Sequence, residues 1–236
     1  MTTSNPVDRT VPAPNHHAHY PGFAGVGGLL AALTFTVGRA ADADLAIRLT
    51  GTGPGVHVVD VGCGPGVAVR RAAASAVSVV GIDPAPVMLR VARRVTRTRS
   101  RLAVRYLAGP AEALPVPDDS ATVVWSLATV HHWRDLDAGL EEVLRVLGPS
   151  GRLLAIERSV EPGARGQASH GWTDDQARTF AERCRAAGFA DATIGHHQTN
   201  RGRRVVSVLG HVNHATVSEP GTNAAGGRWP RHKARE

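Results

Sequence analysis

An apolar, β-branched run, Val58-Val-Asp-Val61, passes without a break into three glycines at alternate positions, Gly62, Gly64 and Gly66. No other feature restricts the fold so strongly. Glycine permits the tight turn and lets a ligand approach the backbone with no Cβ in the way. The helix that opens at Val67 turns its unpaired N-terminal amides toward the same place. A strand, a glycine turn and a helix in this order point to a parallel sheet with a ligand at the strand's carboxyl end. The spacing is G-x-G-x-G. A dinucleotide fingerprint asks for G-x-G-x-x-G, and the third residue after Gly64 is Val67, which disfavours a nicotinamide-dependent dehydrogenase.

The remainder of the chain alternates. β-branched runs at 57–61, 77–83, 102–107, 121–127 and 152–157 are separated by helical patterns at 67–76, 86–96 and 135–147. A further helix is expected at 173–187, opened by Thr173 with Gln176 at the capping-box position and stopped by Gly188. Strands at 192–197 and 205–209 lie too close for a crossover helix and are expected as an antiparallel edge pair. The expected fold class is therefore α/β, a seven-stranded, mostly parallel sheet with helices on both faces. Two helical patterns, joined at 39–42, occupy 23–50. One domain over 23–211 follows, with a flexible arm at 1–22 and a disordered basic tail at 212–236.

The formal charge is +7, and Lys233 is the only lysine. Such a balance suits a nucleic-acid or anionic surface, and it suits equally a G+C-rich coding sequence. Arg90, Arg94, Arg97 and Arg101 recur on one helix face, opposite Met88, Val91, Ala92 and Val95, and read as a solvated face. Interleaved aromatics are missing, so nucleic acid is not the expected partner. No stretch approaches the ~20 apolar residues that span a bilayer. The two cysteines, Cys63 and Cys184, have no framework spacing, and a reducing, cytoplasmic location is expected. Neither is placed as a nucleophile. Glu141 and Arg145, four apart, read as a helix-surface ion pair.

Asp83 ends the second strand, 21 residues beyond Gly62. An acid at this point of a doubly wound sheet accepts hydrogen bonds from ribose hydroxyls, a task suited to a carboxylate because it is acceptor-only when ionised.

VVDVGCGPG, GIDPAPVMLRVARR, GPAEALPVPDDS, ATVVWSLATVHHW and EEVLRVLGPSGRLLAIE occur in that order. Together they closely resemble the S-adenosylmethionine (SAM)-dependent methyltransferases related to ubiquinone and menaquinone biosynthesis enzymes. The resemblance implies a Rossmann-like class I methyltransferase fold, SAM as methyl donor and S-adenosylhomocysteine as product. It implies that Asp60 and the loop Gly62, Cys63, Gly64 and Gly66 face the methionine part of SAM. It gives Asp83 the ribose, sets Pro84 against the adenine and Ala111 and Glu112 at the adenine edge, and puts Ser126 and Leu127 beside the sulfonium. One departure is Pro110, where the family usually carries an acid that meets the adenine amino group; proline offers neither that acceptor nor an N–H.

On the acceptor side, His131 and His132 follow the fourth strand, and His131 is the candidate general base, with a reference pKa of about 6.5 near working pH. Trp133 is expected to pack. His170 and Trp172 follow the fifth strand and either line the acceptor pocket or serve the entry to the next helix, and Glu157 ends that strand. His16, His17 and His19 cluster in the arm, but no Cys or carboxylate completes a metal spacing, so no metal is expected. The implied reaction is methyl transfer to an O, N or C nucleophile of a small-molecule or lipid-like acceptor. The alternatives are a non-catalytic SAM-binding protein and a basic nucleic-acid-binding protein on the same fold.

Overall fold

The computed structural model describes residues 12–18, 39–76, 78–97, 103–199 and 202–212. The first helical pattern before Arg39, His19, Arg101 and the expected tail beyond Val212 lie outside the described residues. Among the described residues, seven strands form one sheet in the order β3-β2-β1-β4-β5-β7-β6. They are β1 His57–Val61, β2 Ser78–Asp83, β3 Val104–Ala108, β4 Ala121–Leu127, β5 Leu147–Arg158, β6 Phe189–Gln198 and β7 Arg204–Val212. β1 to β5 run parallel, and β7 is antiparallel to both β5 and β6, as the short connection requires. The helices are α1 Ala40–Thr50, α2 Val67–Ala72, α3 Pro86–Arg97, α4 Leu136–Val146 and α5 Asp174–Ala187.

The central strands β1, β2, β4 and β5 are largely buried on both sides, and their residues divide by parity between two apolar layers. Val59, Val61, Val124, Leu153 and Ala155 pack with Leu140 and Val143 of α4 and Phe180 of α5. Val58, Val123, Trp125, Leu154 and Ile156 pack with Leu45 of α1, Val69 of α2 and Leu89 of α3. The same parity sends Asp60 toward the α1 layer and Glu157 toward the α4 layer.

Local signals end the helices where chemistry demands. Asp135 caps α4 by accepting from the backbone N–H groups of Asp137 and Ala138. The capping box of Thr173 and Gln176 opens α5, and Gly188, at φ 121°, ends it.

Four expectations are corrected. Residues 40–42 are not a joint but the first turn of α1, with Arg39 as its N-cap. β5 begins directly after α4 at Leu147, through the Gly148-Pro149 that reads as a stop, because Leu147 pairs with Ala121 across a register shift in β4. Val95, expected in the buried stripe of α3, is 38% exposed. Arg145 pairs not with Glu141 but with Glu142, Nε to Oε1 at 2.7 Å, and with Asp118 at 2.6 Å. The pairing has a structural purpose. Arg145 also donates to Leu114 O and Val116 O while Glu142 accepts from Leu114 N, so one ion pair fixes the loop before β4. The Arg145 hydrogen bond is the leading cause that holds the Glu142 carboxyl below the usual range.

Candidate functional site

The carboxyl ends of β1, β2, β4 and β5 meet at one edge of the sheet, and the chemistry-bearing side chains gather there. The loop after β1 is tied to the end of β2: Gly62 N and Cys63 N both donate to Ile82 O, at 2.8 and 3.0 Å. Asp83 extends the tie, with Oδ2 accepting from Gly64 N and Oδ1 from Ala85 N, each at 2.8 Å. Burial raises the Asp83 pKa, and those two amides oppose the shift. Each oxygen of an ionised carboxylate offers about two acceptor sites, so both retain capacity for a ligand hydroxyl.

Gly62 and Gly66 have φ of 76° and 75°. A Cβ on Gly66 would run into Tyr106 Oη, which is itself bonded to Thr96. Gly66 is thus required by its packing on Tyr106, whereas a Cβ on Gly64 would meet nothing within 4 Å. Asp60 lies beneath it, 2% exposed, its carboxyl pushed up to about 7 by burial while Arg39 opposes that and Asp83 adds to it. Cys63 is buried, and burial followed by Asp60 raises its thiol well above the ordinary value, so it stays protonated.

The other donor-side candidates are placed less uniformly. Pro84 is exposed beyond β2, and Ala111 is buried among Leu114 and Val116. Glu112 is half-buried and commits Oε1 to the N–H groups of Arg134 and Asp135, at 2.6 and 3.1 Å, a capping duty that the sequence does not signal. Its Oε2 is the oxygen that remains for an adenine edge. Ser126 is fully buried, and its Oγ lies 2.6 Å from Thr129 Oγ1.

Thr129 joins the two halves of the site. It donates to Val61 O at 2.9 Å, just before the glycine loop, and opens the short 3₁₀ turn Val130–His132. The preceding Ala128 has φ 56°, a conformation that non-glycine residues rarely adopt and that is found disproportionately at functional sites. Arg39 reaches the same corner, donating to Leu127 O and, at 3.5 Å, to Ala128 O. Burial works against its charge, while Asp42, Glu157 and Asp60 favour it.

On the acceptor side, His131 Nδ1 lies 2.9 Å from Glu157 Oε2, and both side chains are almost fully buried. A carboxylate oxygen at this distance accepts from Nδ1, so the tautomer of the neutral ring that fits the pair has its proton on Nδ1 and its lone pair on Nε2. Glu157 Oε1 has no hydrogen-bond partner among the described residues. His132 and His170 stand against His131, with ring centroids 4.1 and 5.5 Å away. Burial first, then the neighbouring imidazoles, hold His132 down to about 3 and His170 down to about 4, so both are neutral near pH 7. His17 stacks on His170 at 4.3 Å.

Residues 12–18, expected within a flexible arm, form a turn docked over this cluster. His17 N donates to His131 O at 2.8 Å, Asn15 Nδ2 to Trp133 O at 3.1 Å, and His16 Nε2 to Ser169 O at 3.0 Å. Trp172 packs at the entry to α5: it is fully buried, 4.8 Å from the Phe180 ring, and donates Nε1–H to Pro14 O at 2.8 Å. Trp133 packs, as expected. A groove of about 590 Å³ opens beyond the carboxyl ends of β5 and β6, lined in part by Glu161, Thr173, His196 and Arg204, and includes none of the donor-side residues.

Residues 59–155 match the family described as "Methyltransferase domain". A malonyl-[acyl-carrier protein] O-methyltransferase of Serratia marcescens is 35% identical over 127 residues, covering 52% of this chain and 48% of that protein. A demethylmenaquinone methyltransferase of Thermus thermophilus is 38% identical over 103 residues, covering 43% of this chain and 46% of that protein. The chain thus spans about half the length of the curated relatives it matches. A SAM-dependent methyltransferase of Aquifex aeolicus has the same fold, with a TM-score of 0.62 at 19% identity, covering 74% of this chain and 92% of that one.

Proposed function

We infer that this chain, whose residues 59–155 match the methyltransferase domain family, moves a methyl group from SAM to an oxygen, nitrogen or carbon nucleophile of a small-molecule or lipid-like acceptor, leaving S-adenosylhomocysteine. One observation carries the reading. The glycine cradle after β1 and the histidine turn after β4 meet at Thr129, so a donor held on the first lies beside groups that can handle an acceptor on the second. SAM, when bound, supplies a methyl group already activated on a sulfonium.

The protein's own work is then to bind, align and exclude water, and alignment of this kind can contribute roughly 7–11 kcal/mol. Asp83 accepts the ribose hydroxyls on the capacity its oxygens retain. Asp60, once ionised, sits near the cationic methionine end. For a hydroxyl or amine acceptor, His131 Nε2 takes the departing proton, and Glu157 holds the ring in the required tautomer. His132 and His170 line the same side. No helix among the described residues is long and apolar enough to cross a membrane. Both cysteines are free and buried, which supports a reducing, cytoplasmic setting.

The test is calorimetric titration with SAM, S-adenosylhomocysteine and NADH, repeated on Asp83→Ala. The first two are expected to bind and NADH is not. Asp83→Ala should weaken SAM by about 1.5–3 kcal/mol, the worth of bonds to a charged group. A preference for NADH, or an Asp83→Ala variant that binds SAM like the wild type, would sink the donor assignment. Transfer of labelled methyl to a panel of phenolic, acyl and amine acceptors then tests the chemistry.

A further inference from the structure

We propose that His131, His132 and His170 form a binding site for one divalent transition-metal ion of the zinc class, on the acceptor side of the sheet edge. One ring nitrogen from each residue lies within 4.8 Å of the others. A tetrahedral ion with bonds of about 2.0–2.1 Å sets its nitrogens roughly 3.3 Å apart, so closure asks for shifts on the order of 1 Å or less. His132 and His170 are only half-buried.

The residues come from two separate segments, 131–132 after β4 and 170 after β5, which is why no linear spacing announces them. Both segments are anchored through their backbones. Arg158 donates to the carbonyls of His170, Ala168 and Gln167 at 2.9, 2.7 and 2.7 Å, and His17 N holds His131 O. Rigid support of this kind is what a metal site needs.

Glu157 provides an independent indication. Ligating histidines nearly always give their second ring N–H to a carboxylate or carbonyl, which orients the ring and raises its basicity. His131 already makes that bond, to a fully buried carboxylate whose other oxygen has no partner among the described residues. Positive charge one imidazole away would offset the burial of that anion. A catalytic triad orienter would look the same from His131 alone, but it would not explain two further imidazoles packed on the base. His16 and His17 are committed to Ser169 and Gln176 and serve as the covering turn.

The donor set selects the ion. Imidazole nitrogens suit zinc, copper, nickel or iron, whereas magnesium and calcium demand oxygen ligands. Three histidines leave a fourth position for water or an acceptor oxygen. The metal uses the same Nε2 of His131 that accepts a proton in the metal-free protein, so the two roles are alternatives at one atom.

The experiment uses the full chain, stripped with chelator and dialysed. Co²⁺ is titrated with d–d absorption as the signal, then displaced with Zn²⁺, and Mg²⁺ serves as the control. One ion per chain is expected, with tetrahedral cobalt bands and no response to Mg²⁺. His132→Ala and His170→Ala should each weaken binding about 100-fold or more, beyond the 10–100-fold expected of Glu157→Gln as the outer partner. Thermal unfolding of each variant separates metal loss from misfolding, and Asp83→Ala should bind cobalt normally. Binding no tighter than millimolar overturns the proposal, as does binding lost only in His16→Ala or His17→Ala. SAM titration is read separately, so loss of the donor reading with cobalt binding intact, or the reverse, is visible.

Discussion

Thr129 occupies the space that Gly62 leaves open: a Cβ on Gly62 would lie 2.5 Å from Thr129 Cγ2 and 2.7 Å from its Oγ1. Gly62 is therefore needed twice, for its φ of 76° and for the absence of a side chain. Gly64, at φ 53°, has nothing within 4 Å of the same point. Gly64→Ala should cost only the left-handed backbone penalty, about 1–2 kcal/mol. Gly62→Ala should cost that and in addition displace Thr129, with a fall in Tm clearly larger than for Gly64→Ala. Thermal unfolding of the two variants checks this, and equal losses would mean that Thr129 moves aside freely.

Asp60 predicts an inverted pH response. Its carboxyl is pushed from an ordinary 3.8 up to about 7 in the folded protein. Between those values the folded chain keeps a proton that the unfolded chain has released, so stability declines as pH rises through the window. Asp60→Asn removes the decline, and its Tm should gain on the wild type at about pH 8 relative to about pH 5. SAM affinity of the wild type should rise over the same range as the carboxylate forms opposite the cationic methionine end. Parallel pH profiles for the two proteins would show that Asp60 does not titrate there.

His131→Ala should leave SAM affinity within about twofold while methyl transfer to a hydroxyl or amine acceptor falls by roughly 10²–10⁴. Calorimetry and turnover on the same samples separate the two. A large loss of SAM affinity would move His131 to the donor side.

Trp172→Phe should keep the core contact with Phe180 but lose the bond to Pro14 O, at a cost of about 1 kcal/mol. The turn at 12–18 should then be cut faster by a protease under native conditions, with Tm little changed. Unaltered cleavage would show that the bonds from Asn15 and His16 hold the turn alone.

Much of this arrangement was legible in the sequence because it rests on local rules. β1 and β4 fall where their β-branched runs predict, at His57–Val61 and Ala121–Leu127, and the capping box at Thr173 opens its helix on cue. β6 runs past its expected limits because its outer residues are exposed and its register comes from pairing with β7, which leaves little apolar alternation to read. Pairings over long distances were not legible. Nothing near Arg39 announces that it reaches the end of β4. The partner of Arg145 depends on the loop at 114–118, which prefers Glu142 over Glu141. Trp172 reads equally as a pocket or a helix-entry residue until the turn at residues 12–18 supplies a carbonyl for its N–H. The histidine cluster belongs to the same class, since two loops and a returning N-terminal turn must converge before any spacing exists.

The sheet grows outward from β1 to β3 in one direction and from β4 through β5 to β7 in the other. Every donor-side residue up to Asp83 comes from the first wing, and His131, His132, Glu157 and His170 all come from the second. The wings touch at the edge through Thr129, which donates to Val61 O, and through Glu112, which accepts from Arg134 N and Asp135 N. The connection between β5 and α5 and the turn at residues 12–18 make none of the hydrogen bonds described above to the glycine loop. On the proposed reading, acceptor choice and donor recognition are separable, and a graft of 159–173 from a related methyltransferase should change acceptor preference while leaving SAM affinity intact.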